Sequence, residues 1–200
     1  MTSPRTPGAV RVTVVSGPTA VGKGTVVAAL RTRHPEVWLS TSATTRAPRP
    51  REVDGVHYHF VTGEEFDELL GSNGLLEWAL VHGTDRYGTP RAPVEAALAE
   101  GLDVVLEIEL QGARQVRESM PGARFVFIAP PSWDELVRRL EHRGTETLEQ
   151  RESRLLTAEA ELASQSEFDH VVVNDDVDRA VEELVGLMGL RPPTTQEGLH

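Results

Sequence analysis

The chain contains no cysteine, which removes disulfide cross-links and thiolate metal sites from consideration. Lysine is nearly absent too: of 20 basic residues, 19 are arginine and Lys23 is the single lysine. No apolar run approaches the length of a membrane span, and Met1 to Gly8 holds no leader-like apolar region, so the expectation is a cytoplasmic protein. Positive net charge is also lacking. The formal charge of −11 disfavours broad contact with nucleic acid or an anionic membrane, so no nucleic-acid or membrane partner is expected. Any anionic ligand must then be held by locally placed arginines. The 200 residues suffice for one α/β domain with a small insertion.

What is present is organised around Gly17, Pro18, Thr19, Ala20, Val21, Gly22, Lys23, Gly24 and Thr25. The preceding run, Ala9 to Val15, is apolar and β-branched and predicts a buried strand, while Val26 to Arg31 predicts a helix. A glycine-rich turn between strand and helix lets successive N–H groups converge on one anion at the positive end of the helix. Lys23 adds a mobile positive charge for β- and γ-phosphates. The hydroxyl that ligates Mg²⁺ in such loops normally follows the lysine directly; here Gly24 intervenes and Thr25 supplies it. The position of the only lysine supports the motif, since a slim ammonium fits where a guanidinium fork crowds the loop.

Beyond the loop, strand and helix signals alternate. Strands are predicted at Val37–Thr41, Val104–Ile108, Arg124–Ile128 and His170–Val173. Helices are predicted at Pro93–Glu100, Arg114–Met120, Ser132 to about Glu141, about Leu148 to Ser164, and a last one striped by Val177, Val181, Leu184, Val185 and Met188. Capping-box spacing marks Thr62–Glu65 and Ser132–Glu135. Residues 42–93 differ in texture, with turns, prolines, short alternating segments and clustered arginines. Nearly uninterrupted apolar strands predict a parallel sheet covered on both faces. The architecture expected is a nucleotide-binding core of residues 1–41 and 94–200, with a lid at about 138–155, frayed tails at 1–8 and 190–200, and an inserted module at 42–93.

The densest chemistry after the loop is Ser42 to Glu52, followed by Gly55 and His57-Tyr58-His59-Phe60. Arg46, Arg49 and Arg51, stiffened by Pro48 and Pro50, make a clamp suited to a phosphate dianion, and Tyr58 adds a phenolic donor. His57 and His59 fall on one face of a predicted strand, but two ligands without a third favour ordinary strand histidines over a metal site.

At this point the chain resembles the guanylate kinases, from about Val10 to Met188. The resemblance rests on ordered motifs: Gly17–Thr25, Thr44-Thr45-Arg46 with Arg49, Gly55 with Tyr58 and Phe60, Leu76-Glu77-Trp78, Tyr87-Gly88-Thr89, Gln111-Gly112, Ala129-Pro130-Pro131-Ser132, Arg143-Gly144-Thr145-Glu146 and Asn174-Asp175. It implies a P-loop NTPase three-layer α/β sandwich with a parallel central sheet, an inserted GMP-binding module and a helical lid. It implies the reaction ATP + GMP → ADP + GDP, with Mg²⁺ entering alongside ATP. Arg46, Arg49, Tyr58 and Tyr87 would hold the GMP phosphate. Ser42, Glu77, Thr89 and Glu109 would contact guanine, with Glu107 beside them. The ATP side would comprise Gly17 to Thr25, Arg139, Arg143 and Asn174, with Thr25 on the metal and Arg154 over ATP from the lid. Lys23, Arg46, Arg143 and Arg154 would be the catalytic set.

A buried carboxylate such as Glu77 accepts from guanine N1–H and the 2-amino group together, whereas adenine presents an acceptor at N1 and no 2-amino group. Two departures from the family pattern stand out. Glu107 and Glu109 occupy an acidic pair in which at least the second is usually aspartate, and Arg51 replaces a frequent glycine. Two other readings remain open. One is a related kinase acting on dGMP, a modified guanosine monophosphate or a sugar phosphate. The other is a non-catalytic binding module using the acceptor groove for a phosphopeptide, against which the intact Lys23–Thr25 stretch and the lid arginines speak.

Overall fold

The computed structural model describes residues 11–81, 84–141 and 148–190, with side chains omitted for 148–153. The tails at 1–8 and 191–200, the Arg143–Glu146 motif and part of the expected lid lie outside the described residues. In chain order the elements are β1 (Val12–Ser16), α1 (Lys23–Arg33), β2 (Val37–Leu39), β3 (Ala43–Thr44), β4 (His59–Phe60) and α2 (Gly63–Gly71). Next come β5 (Leu75–Val81), β6 (Asp85–Pro90), α3 (Arg91–Ala99), β7 (Asp103–Glu107), α4 (Leu110–Ser119) and β8 (Arg124–Ala129). The chain continues with α5 (Trp133–Glu141), α6 (Leu148–Ala163), a 3-10 turn (Ser164–Glu167), β9 (His170–Val173) and α7 (Val177–Met188).

These strands form a parallel five-stranded sheet in the order β2-β7-β1-β8-β9 and a separate mixed sheet in the order β4-β3-β6-β5. The expected α/β fold is therefore present. Every residue of β1 is buried, which explains why its sequence shows no polar alternation. Its register with β7 runs from Val12 opposite Val104 to Val15 opposite Glu107, so the acidic residue falls at the end of the ladder.

By contacts the chain divides into two compact units, Met1–Ser16 with Trp38–Val126 and Gly17–Val37 with Phe127–His200. In the first, α3 packs on β7, and α4 packs on β5 and β1. A satellite core of Ala43, Phe66 and Leu75, joined by Val61, Leu69 and Leu70, seats α2 on the mixed sheet. In the second, α1 packs on α7, α7 on β9, and α5 on α6.

Most predicted elements are found with shifted ends. Thr62 forms the full reciprocal capping box with Glu65. At Ser132 only half forms: its hydroxyl accepts from the Glu135 N–H at 3.2 Å, while the Glu135 carboxylate turns to Arg138 and Arg139. Helix α4 starts four residues before the expected Arg114, with Glu109 as its N-cap. The stretch 42–93 reads as turns in sequence because two of its four strands have only two residues each. The paired-histidine expectation is corrected: His57 lies in a turn, where Nδ1 accepts from the Val53 N–H at 3.0 Å, and only His59 is in a strand.

Candidate functional site

Each unit carries one constellation. In the second unit, the loop between Gly17 and Gly22 uses backbone that side chains resist. Gly17 and Gly22 have φ of 149° and 93°, and a Cβ on Gly22 would lie 2.7 Å from Asn174 Nδ2. Ala20 adopts φ 66° without being glycine, a strained conformation of the kind stored at binding loops. Gly22 is the N-cap of α1, no side chain caps that end, and its first turn holds no acid. The open N–H groups and helix dipole therefore suit an anion.

The loop is held from behind. The Val21 carbonyl accepts from Asn174 Nδ2 at 2.7 Å and from Arg139 Nη1 at 3.0 Å. Arg139 also donates to the Asn174 carbonyl at 3.1 Å and to Glu135 at 2.8 Å. On the other flank, the Thr19 N–H donates to Glu161 on α6 at 3.0 Å. Lys23 Nζ donates to the Gly17 carbonyl at 2.6 Å, so the ammonium lies over the loop. A cavity of about 270 Å³ is lined by Ala20, Gly22, Thr25, Arg139, Asn174, Asp175 and Val177. The structure thus gathers Gly17–Thr25, Arg139 and Asn174. Arg154 lies on α6, the helix that also carries Glu161, and Arg143 is outside the described residues.

In the first unit, Arg46 sits at the centre of a clamp. Its guanidinium pairs with Glu52 through two bonds of 2.9 Å, and both side chains are largely buried, at 11% and 17% exposure. Nε donates to the Tyr87 hydroxyl at 2.9 Å and Nη1 to the Ala47 carbonyl at 2.7 Å. The same cation lies 5.4 Å from the Tyr58 ring and 5.8 Å from the Phe60 ring, and Tyr58 packs edge-on against Tyr87. Glu52 also accepts from the Arg49 N–H at 2.6 Å, and its bonds to Arg46 and Arg49 pull its pKa down to about 2. Burial pushes the Tyr58 hydroxyl above its usual pKa, reinforced by nearby Tyr87 and Glu107. The Arg49 side chain is exposed on the same loop.

Beside this clamp, Glu77 on β5 is only 5% exposed and accepts from the Thr89 hydroxyl at 2.6 Å. Burial pushes its carboxyl up to about 7, with Thr89 opposing and the Glu109 charge adding to the shift. Ser42 precedes β3 and its carbonyl accepts from the His59 N–H at 2.9 Å. Glu107 ends β7, two residues before Glu109. A mainly hydrogen-bonding slot beside an arginine–tyrosine clamp is equipped to take a polar planar base carrying a phosphate.

Sequence reasoning gave no role to Glu52, Glu161, Gly112 or Gln115. Glu52 had a visible signal, as the only acid in an arginine-rich stretch, and Gly112 stood in the Gln111-Gly112 motif without an assigned contact. Glu161 and Gln115 gave none, because their partners are distant in sequence.

Three comparisons bear on the chain. The family model for guanylate kinase matches residues 9–189. A guanylate kinase of Cutibacterium acnes is 63% identical over 183 residues, covering 92% of each chain. One of Streptomyces coelicolor is 60% identical over 187 residues, covering 93% of this chain and 94% of that one. The crystal structure of guanylate kinase from Anaplasma phagocytophilum superposes with a TM-score of 0.72 at 29% identity, covering 94% and 89% of the two chains.

Proposed function

The chain belongs to the guanylate kinase family, and from that premise we propose how its residues carry ATP-dependent phosphorylation of GMP. The observation that carries the residue assignments is the buried Glu77–Thr89 pair. An acceptor-only carboxylate, desolvated and held by one hydroxyl, rewards a partner bringing two N–H groups on one edge, and guanine does so. Arg46, Arg49, Tyr58 and Tyr87 bind the GMP phosphate, with Ser42, Thr89, Glu107 and Glu109 completing the slot. The proposed acceptor module, residues 42–93, contains the whole mixed sheet.

On the donor side, the Gly17–Thr25 loop takes the ATP phosphates, and Arg139 and Asn174 hold its rear wall. Arg143 and Arg154 act from the lid. Thr25 is exposed at the first turn of α1 and lines the cavity, offering one hard oxygen without a protein cage. That fits Mg²⁺, for which Thr25 would be the protein ligand and which, when bound, would supply charge neutralisation at the phosphates.

The nucleophile is a GMP phosphate oxygen. Its second pKa is about 6, so it is largely deprotonated at neutral pH and the chain needs no general base. Lys23, released from the Gly17 carbonyl, neutralises charge on the transferring group. The arginines orient the acceptor for in-line attack. No helix among the described residues is long and apolar enough to cross a membrane, and we place the enzyme in the cytoplasm.

The test is ADP release coupled to an indicator reaction with GMP, dGMP, AMP, CMP and UMP as acceptors. Turnover with GMP and background rates with AMP support the assignment. Equal rates with AMP and GMP overturn the role given to Glu77.

A further inference from the structure

We propose that Gly112 and Gln115 are positioning residues for guanine recognition, docking α4 onto β5 so that Glu77 and Glu109 are held at a fixed spacing. This rests on the reading of Glu77 as the guanine acceptor.

Helix α4 meets β5 through one face. Strand β5 lies at an edge of the mixed sheet. Gln115 satisfies part of that edge: its Nε2 donates to the Trp78 carbonyl at 2.6 Å and its Oε1 accepts from the Trp78 N–H at 3.1 Å. The side-chain amide thus replaces a neighbouring strand at the residue next to Glu77.

Gly112 lies three residues earlier, on the same helical face. A Cβ there would sit 2.8 Å from the Glu77 carboxyl carbon and 3.3 Å from its Cγ, and nearer still to Oε2. The carboxylate therefore occupies the volume that any other residue type at 112 would fill. Glycine is a poor helix residue, so its presence in the first turn of α4 runs against helix propensity and is explained by this close approach.

The same helix begins at Glu109, its N-cap, whose side chain makes no capping bond and whose charge acts on Glu77. One helix thus carries one carboxylate at its start and seats the other against its third residue. A shift of α4 along β5 changes the separation of the two groups that read the base. The longer Glu109 makes this register more consequential, because its carboxylate reaches further than an aspartate's.

The test is steady-state kinetics on the full chain with GMP and ATP varied separately. G112A is expected to raise the GMP KM at least about tenfold while kcat and the ATP KM stay within about threefold. Q115L is expected to shift GMP KM in the same direction with the same split. In the E77D background, whose carboxylate is one carbon shorter, G112A is expected to change GMP KM by less than about threefold; such non-additivity marks direct coupling. G112A is also expected to move the pH at which GMP KM rises, a change that general loosening does not produce. If G112A folds poorly, recovery of the wild-type denaturation midpoint in the E77D/G112A pair supports the clash, and loss persisting in the pair overturns it. Wild-type turnover of GMP with equal G112A effects in both backgrounds overturns the positioning role alone. A wild type inactive on GMP overturns it together with the functional reading.

Discussion

Glu77 gives the sharpest test, because its burial sets both substrate affinity and stability. Its carboxyl is raised from an ordinary 4.5 to about 7, mainly by desolvation. Guanine N1–H and its 2-amino group are donors, so only the ionised carboxylate accepts both. The apparent GMP dissociation constant then rises about tenfold between pH 8 and pH 6 from this group alone. The GMP phosphate also titrates, with a pKa near 6, but contributes only about twofold over that range. In E77Q the tenfold component is expected to vanish, leaving the shallow phosphate component and GMP binding weaker at every pH. Stability follows the opposite sign. A carboxyl whose folded pKa is raised favours the fold while protonated, so its contribution is complete below about 4.5 and is lost as pH rises toward 7. The difference of 2.5 units corresponds to at most about 3 kcal/mol. E77Q, permanently neutral, is expected to be more stable than wild type at pH 8 and little different at pH 4.5. Calorimetric titration with GMP from pH 6 to 8, paired with denaturant melts, measures both. A wild-type affinity profile superimposable on that of E77Q refutes the reasoning.

Three further predictions use the same assays. K23A removes the charge that lies over the loop at the Gly17 carbonyl, and kcat is expected to fall at least about a hundredfold with GMP binding by calorimetry unchanged; a loss under tenfold, about 1.4 kcal/mol, removes the assigned role. R51G replaces a residue held at φ 75°; relief of about 1–2 kcal/mol of left-handed strain, less glycine's entropy, is expected to raise stability by about 0.5 kcal/mol, read as a higher denaturation midpoint. E109D shortens the carboxylate by one methylene and is expected to change GMP KM by no more than about a hundredfold, with the ATP KM unmoved.

What could be read from the sequence divides along a physical line. The loop from Gly17 to Thr25 was legible because its chemistry is local, with glycines, a lysine and a hydroxyl all within nine residues. The central parallel strands β1, β7 and β8 were legible because burial on both faces leaves uninterrupted apolar runs, whereas the edge strand β9 is apolar in sequence yet leaves Val171 and Val173 exposed. The mixed sheet was not legible, since β3 and β4 are too short to show a period, and β5 places Glu77 among buried positions. The start of α4 was hidden by Gly112, which looks like a break until the Glu77 carboxylate is seen filling its side-chain space. Arg51 departs from the glycine expected from the resemblance, and its φ of 75° is a conformation that glycine adopts without strain.

The same line explains how a chain with formal charge −11 can build anion sites from arginine. The central arginine of each site is already fastened by an acid: Arg46 by Glu52, and Arg139 by Glu135. A free arginine gives up about 2 kcal/mol of rotamer freedom when a ligand orders it. Arg46 has no such freedom left, since Glu52, Tyr87 and the Ala47 carbonyl use four of its five N–H groups and aromatic rings flank its plane. Under the proposed assignment, an incoming phosphate meets a frame assembled in advance, and Arg49, exposed on the same loop, is placed to close on it. Neutralising Glu52 would leave Arg46 buried without its counter-charge, so the acid maintains the clamp although it repels the ligand. Preorganisation of this kind needs matched acids and bases, and an acidic chain can supply it without a positive surface.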